Sequence, residues 1–264
     1  MTKLPKEHKF LDLSDYGRRP ARTIANAFKN TRITPVHVTW MFVVSGLIAI
    51  YFILNNQFYL AALFLVLKSI LDAADGELAR VKNTPSYTGR YFDSISDIIL
   101  NALFLITIAY ITNAAWYMTL LAFIGIQLQG TLYNYYYVIL RNRNNGDNTS
   151  RIFETITPKA FPQENQKTVT ILFKLYNLLY RVFDLSIYFL DKNAVRSQNF
   201  PSWFMTMISI FGLGFQLLFI ATMLMLGLAN YILPSIIIAS GFILVFVAIR
   251  KTVLNNQKAH SIIS

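Results

Sequence analysis

Four aspartates, Asp72, Asp75, Asp93 and Asp97, fall within 26 residues of a chain that is otherwise mostly apolar. They read D-A-A-D-G-E-L-A-R from Asp72 to Arg80, then, after eight residues, G-R-Y-F-D-S-I-S-D from Gly89 to Asp97. An ionised carboxylate in a hydrocarbon environment costs roughly 2.5–3.5 kcal/mol on insertion scales, so four of them call for compensation. Bound cations are the simplest compensation. Asp72 and Asp75 are three apart and Asp93 and Asp97 four apart, so on helices each pair shares a face. The linker from Val81 to Thr88, with Pro85, can return the chain so that the two pairs face each other. Oxygen ligands with no neighbouring histidine or cysteine suit Mg²⁺ or Mn²⁺, with Ca²⁺ an alternative, and do not suit zinc. Two ions ~3.5–4 Å apart would grip a diphosphate.

The small residues beside the aspartates belong to the same reading. Gly76 follows Asp75, Ala79 lies one turn on, and Gly89 lies one turn before Asp93. An interior helix glycine costs ~1 kcal/mol relative to alanine, so close approach of a ligand or a neighbouring helix is the expected reason.

Composition sets the frame for these residues. The chain has 264 residues, 55% of them hydrophobic and 14% charged, which fits an integral membrane protein and not a soluble domain. It has no cysteine, so thiol catalysis, zinc thiolates and disulfides are excluded. The formal net charge of +11 points to anionic lipid and not to nucleic acid. The first 33 residues are polar and basic without an apolar core, so no cleavable signal peptide is expected.

Six apolar stretches have the length of membrane spans: 36–54, 58–81, 89–112, 115–140, 203–226 and 229–249. Every lysine and arginine except Lys68 falls on one side of a six-span arrangement, and the positive-inside rule makes that side cytoplasmic. Both termini and the aspartates then face the cytoplasm, and Asn148-Thr149-Ser150 is a sequon only formally. The expected fold is all-α: a basic arm over 1–35, then a six-span domain over 36–264, with a polar cytoplasmic insert at 141–197. Two amphipathic helices are expected on the cytoplasmic surface. One covers residues 20–30, with Ile24 and Phe28 on its apolar face, and the other covers 169–191.

The aspartate segment as a whole, D-x2-D-G-x2-A-R-x8-G-x3-D-x3-D, resembles the signature of the CDP-alcohol phosphotransferases, with all eight fixed positions present. I-T-P-V-H-V-T at 33–39 is similar to the family's T-P-N-x-x-T opening of the first span, with His37 where the family has Asn. The resemblance implies a divalent-metal enzyme of phospholipid synthesis that uses Mg²⁺ or Mn²⁺, two ions in all. Asp72, Asp75, Asp93 and Asp97 would be the metal ligands, with Asp97 also the general base. Gly76, Ala79, Arg80, Ser86, Gly89, Pro35, His37 and Thr39 would approach the CDP moiety. It also implies a homodimer, a CDP-linked donor, and a lipid substrate drawn from the bilayer.

Other residues leave alternatives open. Lys68 reads as an electrostatic partner of the aspartates or as an acceptor contact. Glu77, off the aspartate face, is expected at a solvated surface. Arg80 reads as a phosphate contact or as an arginine snorkelling to the interface. Tyr133, Tyr135, Tyr136 and Tyr137 form an aromatic belt or part of a cage for a quaternary ammonium group. Tyr133, Tyr137 and Arg141 are candidate acceptor contacts. Arg141, Arg143, Arg151, Lys174 and Arg181 read as charges for an anionic lipid surface, and Gly212 and Gly214 as helix-packing positions. The expected donor is CDP-diacylglycerol. CDP-choline or CDP-ethanolamine with diacylglycerol is the second reading, and a cation transporter using the aspartates is the reading from another class.

Overall fold

The computed structural model describes residues 9–144, 156–197 and 200–260. The Asn148 sequon, Arg151, Lys3 and Lys6 lie outside those residues. Among the described residues the chain is helical throughout, with no strand. The helices are α1 (Arg18–Phe28), α2 (Pro35–Leu54), α3 (Phe58–Lys82), α4 (Tyr87–Thr112), α5 (Trp116–Arg143), α6 (Gln166–Leu190), α7 (Ser202–Ile208), α8 (Leu213–Met225), α9 (Ile232–Ser240) and α10 (Phe242–His260).

Local chemistry sets the helix ends. Thr34 and His37 form a reciprocal cap at the start of α2: Thr34 N donates to His37 Nδ1 at 3.0 Å, and His37 N donates to Thr34 Oγ1 at 3.4 Å. Pro35 follows at the first turn, where a missing N–H costs nothing. α3 and α4 end on Asn83 and Asn113, both left-handed with φ of 53° and 50°, a conformation asparagine tolerates well. These reversals bring α2, α3 and α4 into an antiparallel group. A single apolar core, including Phe42, Leu65, Leu100, Phe104, Leu217, Ile220 and Leu233, joins them to α8 and α9.

Among the described residues three stretches are long and apolar enough to cross a membrane: Pro35–Leu54, Tyr87–Thr112 and Ala229–Thr252. A bent pair, Ser202–Phe211 with Leu213–Met225, could form a fourth. α3 and α5 occupy the expected second and fourth positions but do not meet that test. α3 carries six ionisable side chains between Lys68 and Lys82, and α5 carries Gln127, Gln129, Arg141 and Arg143. The expected fifth span is broken, bending by 53° around Gly212, which is extended at φ −71° and ψ 148°. The N-terminal segment is wedged there. A Cβ on Gly212 or Gly214 would run into Ser14, and Leu13 N donates to Ser209 Oγ at 2.9 Å. These glycines therefore admit the N-terminal segment as well as packing helices.

α1 is the expected amphipathic helix. It lies along α3, burying Ala21 and Ala25 beside Ala74 and Leu78. Lys82 Nζ fastens the end of that segment through the carbonyls of Thr31 and Ile33, at 2.8 and 2.7 Å. α6 is the second expected amphipathic helix. It packs on α4 and α5, and its outward side mixes Ile171, Leu178, Val182 and Phe189 with Lys174 and Arg181.

Candidate active site

The α3–α4 reversal places the paired aspartates opposite one another. Carboxylate oxygens of Asp72, Asp75 and Asp93 lie within 4.8 Å of each other. Asp75 is buried and is steered from α2, where Thr39 Oγ1 donates to Asp75 Oδ2 at 2.7 Å. Asp93 Oδ1 is buried with no hydrogen-bond partner. Asp97 stands outside the triad. Its Oδ1 accepts from Lys68 Nζ, which also lies 3.5 Å from Asp72 Oδ2 and 4.6 Å from the centre of the Phe42 ring. Lys68 is 0% exposed, so its ammonium is committed to the aspartates.

This donor set fits a hard divalent cation. An unpartnered carboxylate oxygen in a buried place carries a desolvation cost that a bound cation removes. The triad is all oxygen, as Mg²⁺ and Mn²⁺ prefer. One ammonium against four carboxylates leaves three negative charges unbalanced when all are ionised.

The triad opens on a cavity of about 400 Å³. Its walls bring together most of the residues expected near a nucleotide: Pro35 and Thr39 from α2, Gly76, Ala79 and Arg80 from α3, and Ser86 and Gly89 at the start of α4. Close to Gly76, a Cβ would meet only the Arg80 guanidinium, at 3.6 Å, so the backbone there faces open space. A Cβ on Gly89 would press on Ser86 Oγ at 3.2 Å. His37 is exposed and not part of the lining, because its ring is spent on the α2 cap. A larger groove of about 690 Å³ lies between α4 and α5 near Tyr110 and Trp116, but it has no carboxylate, histidine or basic residue.

One wall comes from the α5–α6 connection, which sequence reasoning left without a role. Phe161 lines the cavity and stacks on Tyr87, ring centres 5.0 Å apart and planes 15° apart. Glu164 caps the start of α4. Its Oε1 accepts from Ser86 Oγ at 2.8 Å and Thr88 N at 2.7 Å, and its Oε2 from Tyr87 N and Phe161 N, both at 3.2 Å. Partial burial pushes this carboxyl up. The hydrogen bonds from Thr88, Ser86 and Phe161 outweigh it and hold the group below its ordinary range. Nothing local marks Glu164 for this role, since its partners on α4 are nearly eighty residues away in sequence.

Several other expectations resolve differently. Glu77 is buried, not solvated: its carboxylate lies 3.1 Å from Arg80, 3.4 Å from Arg18 and 3.8 Å from Arg22, tying α1 to the rim of the site. The tyrosines of α5 are turned to structural work. Tyr133 OH donates to Asp12 at 2.6 Å, Tyr136 OH donates to Asp191 at 2.7 Å, and Tyr135 OH donates to the Asp191 carbonyl at 3.1 Å. Tyr133 and Tyr137 stack on each other, with Phe10 edge-on to Tyr137. Arg141 is buried, with its guanidinium 5.6 Å from the centre of the Tyr137 ring. None of Tyr133, Tyr137 and Arg141 lines the cavity.

An acidic triad at the end of two antiparallel helices, beside a cavity walled by small residues, is the architecture that the family signature describes. A model of the CDP-alcohol phosphatidyltransferase family matches residues 23–190, and the chain belongs to that family. The match runs from within α1 to the end of α6 and leaves α7–α10 outside it. Among named relatives, the archaetidylinositol phosphate synthase of Pyrococcus horikoshii is 35% identical over 109 residues, 41% of this chain and 57% of that protein. The bifunctional IPC transferase and DIPP synthase of Thermococcus kodakarensis is 38% identical over 97 residues, 36% of this chain and 22% of that protein. The CDP-diacylglycerol–serine O-phosphatidyltransferase of Helicobacter pylori is 41% identical over 54 residues, 20% of this chain and 23% of that protein. The alignments thus span little more than half of the first relative and under a quarter of the other two.

Proposed function

We propose that the protein transfers a substituted phosphoryl group from a CDP-linked donor to an alcohol, releasing CMP, in phospholipid synthesis. The observation that carries this reading is the triad itself. Three carboxylates lie together, Asp75 and Asp93 of them lining the cavity, one of their oxygens is unpartnered, and signature residues complete the walls. Asp72, Asp75 and Asp93 would hold Mg²⁺ or Mn²⁺, two ions in all, with Asp97 as a further ligand. When bound, the metal supplies charge neutralisation on the diphosphate and stabilises the departing CMP. Thr39 holds Asp75 in its ligating orientation. Gly76 lets the nucleotide reach the α3 backbone, and Arg80 stands at the wall for its phosphates.

The reaction then follows from position. The acceptor hydroxyl oxygen attacks the donor phosphorus that carries the lipid. Its proton passes to Asp97, the bond from that phosphorus to the CMP oxygen breaks, and CMP leaves with the bonding pair. Positioning and charge suffice, so no covalent intermediate on the protein is required.

CDP-diacylglycerol is the proposed donor and a polar or phosphorylated alcohol the acceptor. None of Tyr133, Tyr135, Tyr136 and Tyr137 lines the cavity, and Tyr133 and Tyr137 stack on each other, which removes the main support for a choline cage there. For placement we propose six crossings, with α3 and α5 spanning despite their polar residues and the bent α7–α8 pair as the fifth. Both termini and the site would face the cytoplasm beside anionic lipid, which the one-sided lysines and arginines support. A homodimer is proposed on the family resemblance alone.

The test is CMP release by purified protein in liposomes with Mn²⁺ or Mg²⁺. CDP-diacylglycerol, CDP-choline and CDP-ethanolamine are each offered a panel of alcohols. Acceptor-dependent CMP that disappears with EDTA and in Asp97→Asn is the expected result. Folded protein that binds Mn²⁺ but releases no CMP from any donor would overturn the reading.

A further inference from the structure

The segment carrying Phe161 and Glu164 is fastened across the α3–α4 turn by more than one bond. Gln163 Nε2 donates to Pro85 O at 3.2 Å, next to the Glu164 contacts. The hydrogen-bond accounting at Glu164 is complete. A carboxylate has about four acceptor positions, and Ser86 Oγ, Thr88 N, Tyr87 N and Phe161 N occupy them, with the Thr88 side chain a further donor. Glu164 thus has no capacity left for a ligand, and being ionised it has no proton to give.

The consequence falls on Ser86, which lines the cavity. A serine hydroxyl has one proton to donate and two lone pairs to accept with. The proton is spent on Glu164 at 2.8 Å, and one lone pair accepts from Gly89 N, also at 2.8 Å. What remains for anything in the cavity is a single lone pair. Ser86 Oγ is therefore an acceptor there and cannot act as a donor.

We propose that Glu164 is a specificity-positioning residue: by holding Ser86 Oγ as an acceptor, it makes the cavity select a cytosine nucleotide over a uracil nucleotide. The inference rests on the reading of the cavity as the nucleotide site. The two bases differ at position 4, where cytosine carries an amino donor and uracil a carbonyl acceptor, and at the adjoining N3, which accepts in cytosine and donates in uracil; in the proposed arrangement Ser86 Oγ stands against position 4. An acceptor-only oxygen satisfies the amino group, whereas it meets the carbonyl lone pair to lone pair. Phe161, on the same segment, lines the same cavity.

The experiment is calorimetric titration of CMP and UMP into the purified full-length protein in detergent with Mg²⁺. It compares wild type, Glu164→Ala and Ser86→Ala. Wild type should bind CMP roughly tenfold or more tightly than UMP, the usual cost of a mispaired polar group. In Glu164→Ala the Ser86 hydroxyl regains its proton for the cavity, and the CMP-to-UMP ratio should fall toward one. In Ser86→Ala the ratio should fall likewise, although Glu164 and its backbone contacts remain. A clasp that only stiffens the pocket would weaken both nucleotides together and leave the ratio unchanged in Glu164→Ala, which overturns the proposal. An unchanged ratio in Ser86→Ala also overturns it, and does so even where Glu164→Ala fails to fold. CMP bound with unaltered ratios leaves the nucleotide reading standing, whereas wild type binding neither nucleotide removes both.

Discussion

Charge is buried in two places in this molecule, and the two are built in opposite ways. At the far end of α6, Asp191 and Arg250 are both 0% exposed. One carboxylate faces one guanidinium, with both Asp191 oxygens bonded to it and the hydroxyls of Tyr136 and Tyr135 added at Oδ2 and the backbone carbonyl. Between α3 and α4, four carboxylates gather around one ammonium that pairs with Asp72 and Asp97, and Asp93 Oδ1 has no partner. The first arrangement is closed: it joins α5, the turn after α6 and α10, and leaves nothing to bind. The second is open by three charges when all four are ionised. A buried pair contributes little net stability but is costly to break. An unbalanced cluster is tolerable only where something else arrives to balance it. Burial of charge alone therefore does not mark a site in this protein, and incomplete pairing does.

Breaking the closed cluster should have the largest effect. Arg250→Met leaves Asp191 buried without its partner, and unfolding in detergent should lose about 3–5 kcal/mol. The double variant Asp191→Asn/Arg250→Met should recover much of that loss. Equal instability of single and double variants would show that the pair is not balanced in the way described.

The open cluster should respond in the reverse sense. Asp93→Asn removes one of four repelling carboxylates, so metal-free protein should be at least as stable as wild type. CMP release should fall ~10²–10³-fold, and the upward shift of Tm that Mn²⁺ produces in wild type should vanish. A destabilised metal-free Asp93→Asn with its Mn²⁺ response intact would make the cluster structural.

A smaller effect tests how the open cluster is aimed. Thr39→Val removes the hydroxyl that orients Asp75 while keeping its volume. Mn²⁺ affinity, followed by titration, should weaken by ~10- to 100-fold. No change would mean that Asp75 needs no steering from α2.

Much of this was legible before any coordinates. The helical class follows from runs of apolar residues too long for strands. That Asp72 and Asp75 share a face follows from their spacing of three, because helical periodicity puts such residues on one side regardless of what packs around them. The departures share one physical cause. Glu77 meets Arg18, Arg22 and Arg80 only because α1 lies on α3. Asp97 leaves the triad because Lys68, one turn before Asp72, is buried and takes its carboxylate. The tyrosines of α5 bind Asp12 and Asp191, which come from opposite ends of the chain.

By itself, then, the sequence determined the helical class, the family signature, the acidic residues and the oxygen-ligand chemistry they offer. Each of these is legible within a short stretch of sequence. Only the tertiary structure decided which buried charges are balanced and which are not, and that Glu164 reaches Ser86 from 78 residues away. Those outcomes depend on where separate helices meet. Pairing across such distances is set by the packing of whole apolar faces, and no local spacing encodes it.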